Sequence, residues 1–178
     1  MSGKRYTPEN ITTLNSFEVF VFGSNLAGVH CGGAAKQAFE HFGAIWGQGS
    51  GMQGSSYAIP TMQGGVETIK PYVDQFVQYA SSHKEFTFLV TRIGCGIAGF
   101  RDEEIAPMFL EALELENVVL PKEFVDILNP LKEEQRRKTI SKRLSDIIKE
   151  FNEKLNTIEE RKLSFTSIEE LIKEKQEE

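Results

Sequence analysis

Apolar and polar positions along the first two thirds of the chain switch between two periods. Residues 17–22 (FEVFVF) and 86–91 (FTFLVT) are runs of aromatic and β-branched residues that predict buried strands. Residues 56–59, stopped by Pro60, and 117–120, ended by Pro121, predict two shorter strands. Between these runs the period becomes helical. Residues 32–42 place Ala35, Ala38, Phe39 and Phe42 on one face, and residues 66–81 do the same with Ile69, Val73, Phe76, Val77 and Ala80. Residues 102–115 predict a third helix, with Asp102 placed to cap it and Glu103 and Glu104 in a first turn where acids suit the dipole. Strands joined by helices imply an α/β fold: a three-layer, mostly parallel sheet with helices on both faces.

From Pro130 the pattern changes. Ile140, Leu144, Ile147, Phe151, Leu155 and Ile158 recur every three or four residues and form one apolar stripe on a helix. The stripe predicts a long helix over 130–156. Thr157 with Glu160, and Thr166 with Glu169, each fit a capping box, so a shorter helix is expected after Thr166. The chain thus divides into an α/β domain at 1–129 and a helical extension at 130–178. The extension either packs on its own domain or acts as a coiled-coil arm that makes a homodimer or takes a protein partner.

Charge supports this division. The net charge of −6 lies wholly in residues 1–129, which hold 8 basic and 14 acidic residues, whereas 130–178 hold 12 of each. All 15 glycines precede residue 100. No basic stripe is present, so sequence-specific grip on nucleic acid is not expected. No apolar run reaches the length of a membrane span, and residues 1–16 lack the apolar core of a signal peptide, so a cytoplasmic protein without membrane contact is expected. Three histidines and two cysteines without ligand spacing predict no metal site, and no cofactor is expected.

Candidate chemistry concentrates in two glycine-rich loops. The first follows the first strand: Gly23, Ser24, Asn25, Leu26, Ala27, Gly28, Val29, His30, Cys31, Gly32, Gly33, Ala34. The second follows the other strong strand: Arg92, Ile93, Gly94, Cys95, Gly96, Ile97, Ala98, Gly99, Phe100. Each runs from a strand into a helix N-terminus, an arrangement whose free amides and dipole suit an anion. Neither has the spacing of the dinucleotide fingerprint or the P-loop. Ligands of parallel sheets bind beyond the carboxyl ends of the strands, so the two loops would share one edge and cradle a diphosphate. Their glycines alternatively serve only tight crossovers. Cys31 and Cys95 are small residues tolerated at tight sites or nucleophilic thiols. His30 is an acid–base group or a loop residue bonded to backbone. Asp102 is a helix cap or a general base. Trp46, in a third glycine-rich stretch over 43–54, is a pocket wall for a base, a buried core residue or part of a flexible loop, and Gln48 and Gln53 are potential hydrogen-bond partners of a ligand.

These residues carry a resemblance. Asn25, Gly28, the run from Cys31 to Ala35, then Phe39 and Phe42, resemble the first ADP-ribose-binding loop and helix of macrodomains. The run from Arg92 to Gly99 is similar to the second, diphosphate-binding loop of the branch that includes terminal ADP-ribose glycohydrolases and ADP-ribose-1''-phosphate phosphatases. The likeness covers about residues 17–121. It implies a pocket for ADP-ribose or an ADP-ribosylated macromolecule. Asn25 would face the distal ribose, the amides around His30–Ala34 and Gly94–Gly99 would hold the diphosphate, and Phe100 would stack on the ligand. Met62 stands where such glycohydrolases have a lysine and Ala98 where they have an aspartate; an adenine-reading aspartate and a glutamate pair are also not evident. Three readings follow: a hydrolase of ADP-ribose derivatives, in which Asn25 and Asp102 position or activate water; a non-catalytic reader or sequestering module; and a structural role in which the pocket is vestigial.

Overall fold

The structure, a computed structural model, describes residues 6–176 apart from the side chains of residues 160, 163–166, 171 and 174–176. It resolves into two units, Met1–Lys132 and Glu133–Glu178.

The first unit is α/β. Its elements run β1 (Glu18–Ser24), α1 (Gly33–His41), β2 (Gly51–Gln53), β3 (Ser56–Pro60), α2 (Val66–Ser82), β4 (Thr87–Val90), α3 (Asp102–Ile105), two 3₁₀ turns (Ala106–Phe109 and Glu111–Glu114), β5 (Val118–Val119) and the start of α4 (Lys122–Gln176). The sheet order is β2-β3-β1-β4-β5. β1 is central and pairs in parallel with β3 and β4, and β4 pairs in parallel with β5. β2 was not foreseen; it makes an antiparallel edge with β3, so the sheet is mixed. Phe17, expected in the first strand, instead takes φ 70° in the turn before it and is exposed.

Alternation along β1 builds both cores. Val19 and Val21 face Ile69, Val73 and Phe76 of α2 together with Phe109 and Phe124. Phe20 and Phe22 face Ala35 and Ala38 of α1 with Phe42 and Ile11. Helices therefore cover both faces, giving the three layers expected. Each fully buried Phe or Ile contributes about 1.5–3 kcal/mol of apolar burial, and the middle of β1 supplies such residues to both cores.

Three expected boundaries are corrected. The helix predicted over 102–115 stops at Ile105. Pro107 lacks the amide that an α-helix needs, and the chain goes on as 3₁₀ turns. The tail helix starts at Lys122 rather than Pro130, because Phe124, Val125 and Leu128 are buried in the first unit's core. Pro130 lies inside the helix. The break expected between 156 and 166 is not there: Thr157 Oγ1 donates to the Glu153 carbonyl at 3.0 Å, as a hydroxyl does within a helix. The side chains of Glu160 and Thr166, which the two capping boxes require, lie outside the described ones.

Among the described residues no helix is long and apolar enough to cross a membrane.

A candidate anion cleft at the carboxyl edge of the sheet

The carboxyl ends of β1, β3 and β4 open onto a cleft of about 300 Å³. Gly23 and Ser24 from β1, Thr61 and Met62 after β3, and Thr91–Gly94 after β4 form its floor. One wall is the first loop, through Asn25, Val29 and Cys31–Ala35; the other is Gly96, Ile97 and Ala98. The two glycine-rich loops do share one edge.

The floor is fixed by hydroxyl groups tied into the backbone. Thr61 accepts no freedom of rotation: its amide and its Oγ1 both donate to the Ser24 carbonyl, at 2.9 and 3.2 Å. Thr91 Oγ1 donates to the Val21 carbonyl at 2.9 Å. These bonds hold the three strand ends at fixed spacing.

The cleft's chemistry comes from α1. Its N-cap is Gly32, extended at φ −153°, with no side-chain cap and no acidic residue in the first turn. A helix start usually has its free amides satisfied by Ser, Thr, Asp or Asn. Here Gly32, Gly33 and Ala34 line the cleft instead, so the positive end of the dipole faces it. Gly33 sits at φ 54°, where a side chain would be strained. A Cβ on Gly32 would come within 3.1 Å of Ile97 Cδ1, and one on Gly33 within 3.4 Å. Ile97, 74% exposed, thus reaches across from the second loop to the start of α1. Glycine at 32 and 33 makes room for that crossing.

The first loop keeps its shape through Asn25. Its carboxamide donates to the Val29 carbonyl at 2.7 Å and accepts from the Val29 amide at 3.0 Å. Both polar atoms of Asn25 therefore close the turn, which makes it a scaffold residue at the cleft rim rather than a group free to activate water. The third glycine-rich stretch is a buttress for this turn. A Cβ on Gly28 would lie 2.3 Å from the Gln48 amide nitrogen, and one on Gly49 would lie 2.1 Å from the Asn25 carbonyl oxygen. Gln48 and Gln53 hold the buttress together. Gln53 Oε1 accepts from the Ile45 amide at 2.5 Å, and Gln48 Nε2 donates to the Met52 carbonyl at 3.1 Å. Trp46 neither enters the core nor lines the cleft; it is exposed and packs edge-on against Phe39 at 5.7 Å. Phe39, expected on the inner face of α1, is itself half exposed.

Several expected site residues point elsewhere. His30 is 1% exposed, sets its Nε2 3.1 Å from the Ile45 carbonyl and meets the Phe22 ring edge-on. It is a core residue beneath the loop and does not line the cleft. Phe100 packs on the core against Gly94 and does not stack over the cleft. Gly99 and Cys95 are also outside the lining. Cys95 turns toward the core, and burial, with the neighbouring Asp102 carboxylate next, pushes its thiol up to about 12. A thiol so placed is protonated at neutral pH and is a poor nucleophile.

Asp102 is the first residue of α3, not its cap. The cap position is Arg101, whose amide donates to Glu104 Oε2 at 2.9 Å. The Asp102 carboxylate is gripped by Arg92, Nε to Oδ1 at 3.1 Å and Nη2 to Oδ2 at 2.6 Å. Those bonds hold its pKa below the usual carboxylate range. It does not line the cleft, and a carboxylate so committed is a weak base.

Thirteen of the expected site residues thus stand in the lining: Gly23, Ser24, Asn25, Cys31, Gly32, Gly33, Ala34, Arg92, Ile93, Gly94, Gly96, Ile97 and Ala98. Val29, Ala35, Thr61 and Thr91 also line the cleft, without a sequence signal that singles them out as ligand contacts. The position of Thr61 alone was legible, because it directly follows the strand that Pro60 ends. Among the described lining residues the ionisable side chains are Cys31 and Arg92, and none is Asp, Glu, His or Lys. No group of three or more described His, Cys, Asp or Glu residues could hold a metal ion.

Comparison of the chain with protein families, with curated proteins and with solved structures returns no match.

Proposed function

We propose that the cleft binds ADP-ribose or a related nucleotide diphosphate, with the diphosphate over the start of α1. The observation that carries this reading is the uncapped N-terminus of α1, opening into a cleft at the carboxyl edge of a largely parallel sheet. Backbone amides at Gly32–Ala34 would meet the phosphates from one side and those of Gly94, Gly96, Ile97 and Ala98 from the other. Arg92 also lines the cleft, with its charge shared with the Asp102 carboxylate that it grips through Nε and Nη2. Ile97 would lie across the bound diphosphate and exclude water from it. The macrodomain resemblance in the same two loops supports the choice of ADP-ribose among diphosphates.

A reader or sequestering module accounts for the cleft better than a hydrolase. Hydrolysis needs a group to activate water, and among the described lining residues there is no carboxylate or imidazole to do so. Asn25 and Asp102, the two side chains expected to serve, are engaged by Val29 and Arg92.

A ligand that binds only the folded state raises the melting temperature by mass action. Saturating ADP-ribose is expected to raise it, and adenosine, which lacks the diphosphate, is not. Incubation with ADP-ribose-1''-phosphate and with an ADP-ribosylated protein then separates the two functions. Both substrates are expected to be recovered unchanged; their turnover would make the protein a hydrolase.

A further inference from the structure

The described residues of the second unit carry an exposed apolar face. Ile140, Leu144, Ile147, Phe151, Ile158 and Ile172 are each 49–61% exposed. Scattered exposed apolar residues need no explanation, but these are ordered. Leu144, Phe151, Ile158 and Ile172 share one seven-residue register, and in sequence Phe165 fills its remaining place. Ile140, Ile147 and Ile168 share the companion register of a heptad. A straight helix drifts by about 20° per heptad, so a strict seven-residue repeat keeps one face only when two helices supercoil. The stretch from Ile140 to Ile172 is about 50 Å long at about 1.5 Å per residue, and it exceeds the three to four heptads that a coiled coil requires.

Charge identifies the partner and its direction. Residues 136–149 hold six basic residues and one acidic, a net of +5; residues 150–178 hold five basic and nine acidic, a net of −4. A second copy running the same way would set like charge against like along the whole tail. It would also stack Lys154 on Lys154 and Arg161 on Arg161, since both occupy the companion register. A second copy running the opposite way lays the basic stretch of each tail on the acidic stretch of the other. With Ile140 opposite Ile172, Lys154 faces Ile158 and Arg161 faces Phe151 of the other copy. Lys154 already pairs with Glu150 on its own helix at 2.7 Å, so its charge is met at the edge while its stem covers the seam.

We infer that the tail is the dimerisation element of this protein, an antiparallel two-stranded coiled coil between two copies of the chain with Ile140 of each opposite Ile172 of the other. This surface is distinct from the cleft, and the inference stands or falls without it.

Sedimentation of the full chain is expected to show a dimer at tens of micromolar that dissociates on dilution and more readily in high salt. A monomer at that concentration would overturn the inference. Phe151→Glu with Ile158→Glu is expected to give a monomer whose first unit melts unchanged; a persistent dimer would overturn the seam. Lys154→Leu keeps the helix and is expected to tighten the dimer at least tenfold, and no tightening would count against that register. Direction is read by cross-linking in a Cys31→Ser background. Ile172→Cys mixed with Ile140→Cys is expected to link, whereas Ile172→Cys alone is not; self-linking of Ile172→Cys would mean a parallel pair.

Discussion

Arg92 and Asp102 join the two ends of the second glycine-rich loop by a two-point ion pair, Nε to Oδ1 at 3.1 Å and Nη2 to Oδ2 at 2.6 Å. Ten residues apart in sequence, they fasten the strand end to the start of α3. The loop between them, from Ile93 to Arg101, owes its closure to this pair and to the Phe100 amide's bond to the Gly94 carbonyl at 3.0 Å.

That pair gives stability a definite pH dependence. The Asp102 carboxylate is held below its ordinary value by Arg92. Its contribution is therefore present above the unfolded carboxylate range, about pH 4, and is lost as pH falls through the lower folded value. With Arg92 half exposed, Asp102→Asn is expected to cost about 0.5–1 kcal/mol at pH 7. Denaturant titrations at pH 7 and pH 3 check this; a gap that does not shrink at the lower pH contradicts it.

Two glycines of similar appearance are expected to respond in opposite ways. Gly28 has φ 64°, and a Cβ there meets the Gln48 backbone at 2.3 Å; Gly96 has open space within 4 Å. Gly28→Ala is expected to destabilise the fold by at least about 2 kcal/mol. Gly96→Ala should leave the melting temperature within about 2 °C, because nothing has to move. Thermal melts of the two variants decide it, and a tolerated Gly28→Ala would mean that the buttress does not pack on the first loop as described.

The two thiols are expected to separate kinetically. Cys31 is exposed at the cleft rim, whereas Cys95 is half buried with its thiol pushed up to about 12. At pH 8 a disulfide reagent should titrate one thiol quickly and the second only after denaturant is added. ADP-ribose should slow the fast reaction. Two equally fast thiols would place Cys95 in solvent, and a rate indifferent to ligand would separate Cys31 from the binding site.

The described core closes before the second unit begins. Among the described residues, every buried hydrophobic one lies at or before Leu128. A chain ended after Lys132 is therefore expected to retain the cooperative melt of the first unit while losing helical circular dichroism. Loss of near-ultraviolet dichroism in that chain would show that the tail is needed for folding.

What could be read in advance followed the length and purity of each pattern. β1 and β4 were legible because long aromatic and β-branched runs have no competing reading. β2 spans three residues, one of them glycine, and carries no period at all. The first turns of α4 escaped because Phe124, Val125 and Leu128 fit too short a window beside Pro121 and Pro130 to register as a helix. Pro107 was visible in the expected third helix, and its missing amide shortened that helix to four residues. For the site, the glycines and strand ends pointed to the sheet edge at which the structure has a cleft. Side-chain direction within the loops was not legible. His30, Cys95 and Phe100 turn to the core because the backbone around them is set by positive φ at Gly28, Gly94 and Gly99, and a loop of that kind has no period from which to read an inside and an outside.

The proposed role of this cleft is to receive a diphosphate on the amides at the start of α1. Calorimetric titration of ADP-ribose into the intact protein, repeated with Gly96→Phe, tests it most directly. Gly96 lines the cleft, and it lies outside the left-handed region and touches nothing that a larger residue would displace, so that variant keeps the fold while filling the site. Saturable heat at one nucleotide per chain is expected, lost in Gly96→Phe. No heat from the intact protein at millimolar ADP-ribose, or equal heat from the filled variant, would contradict it.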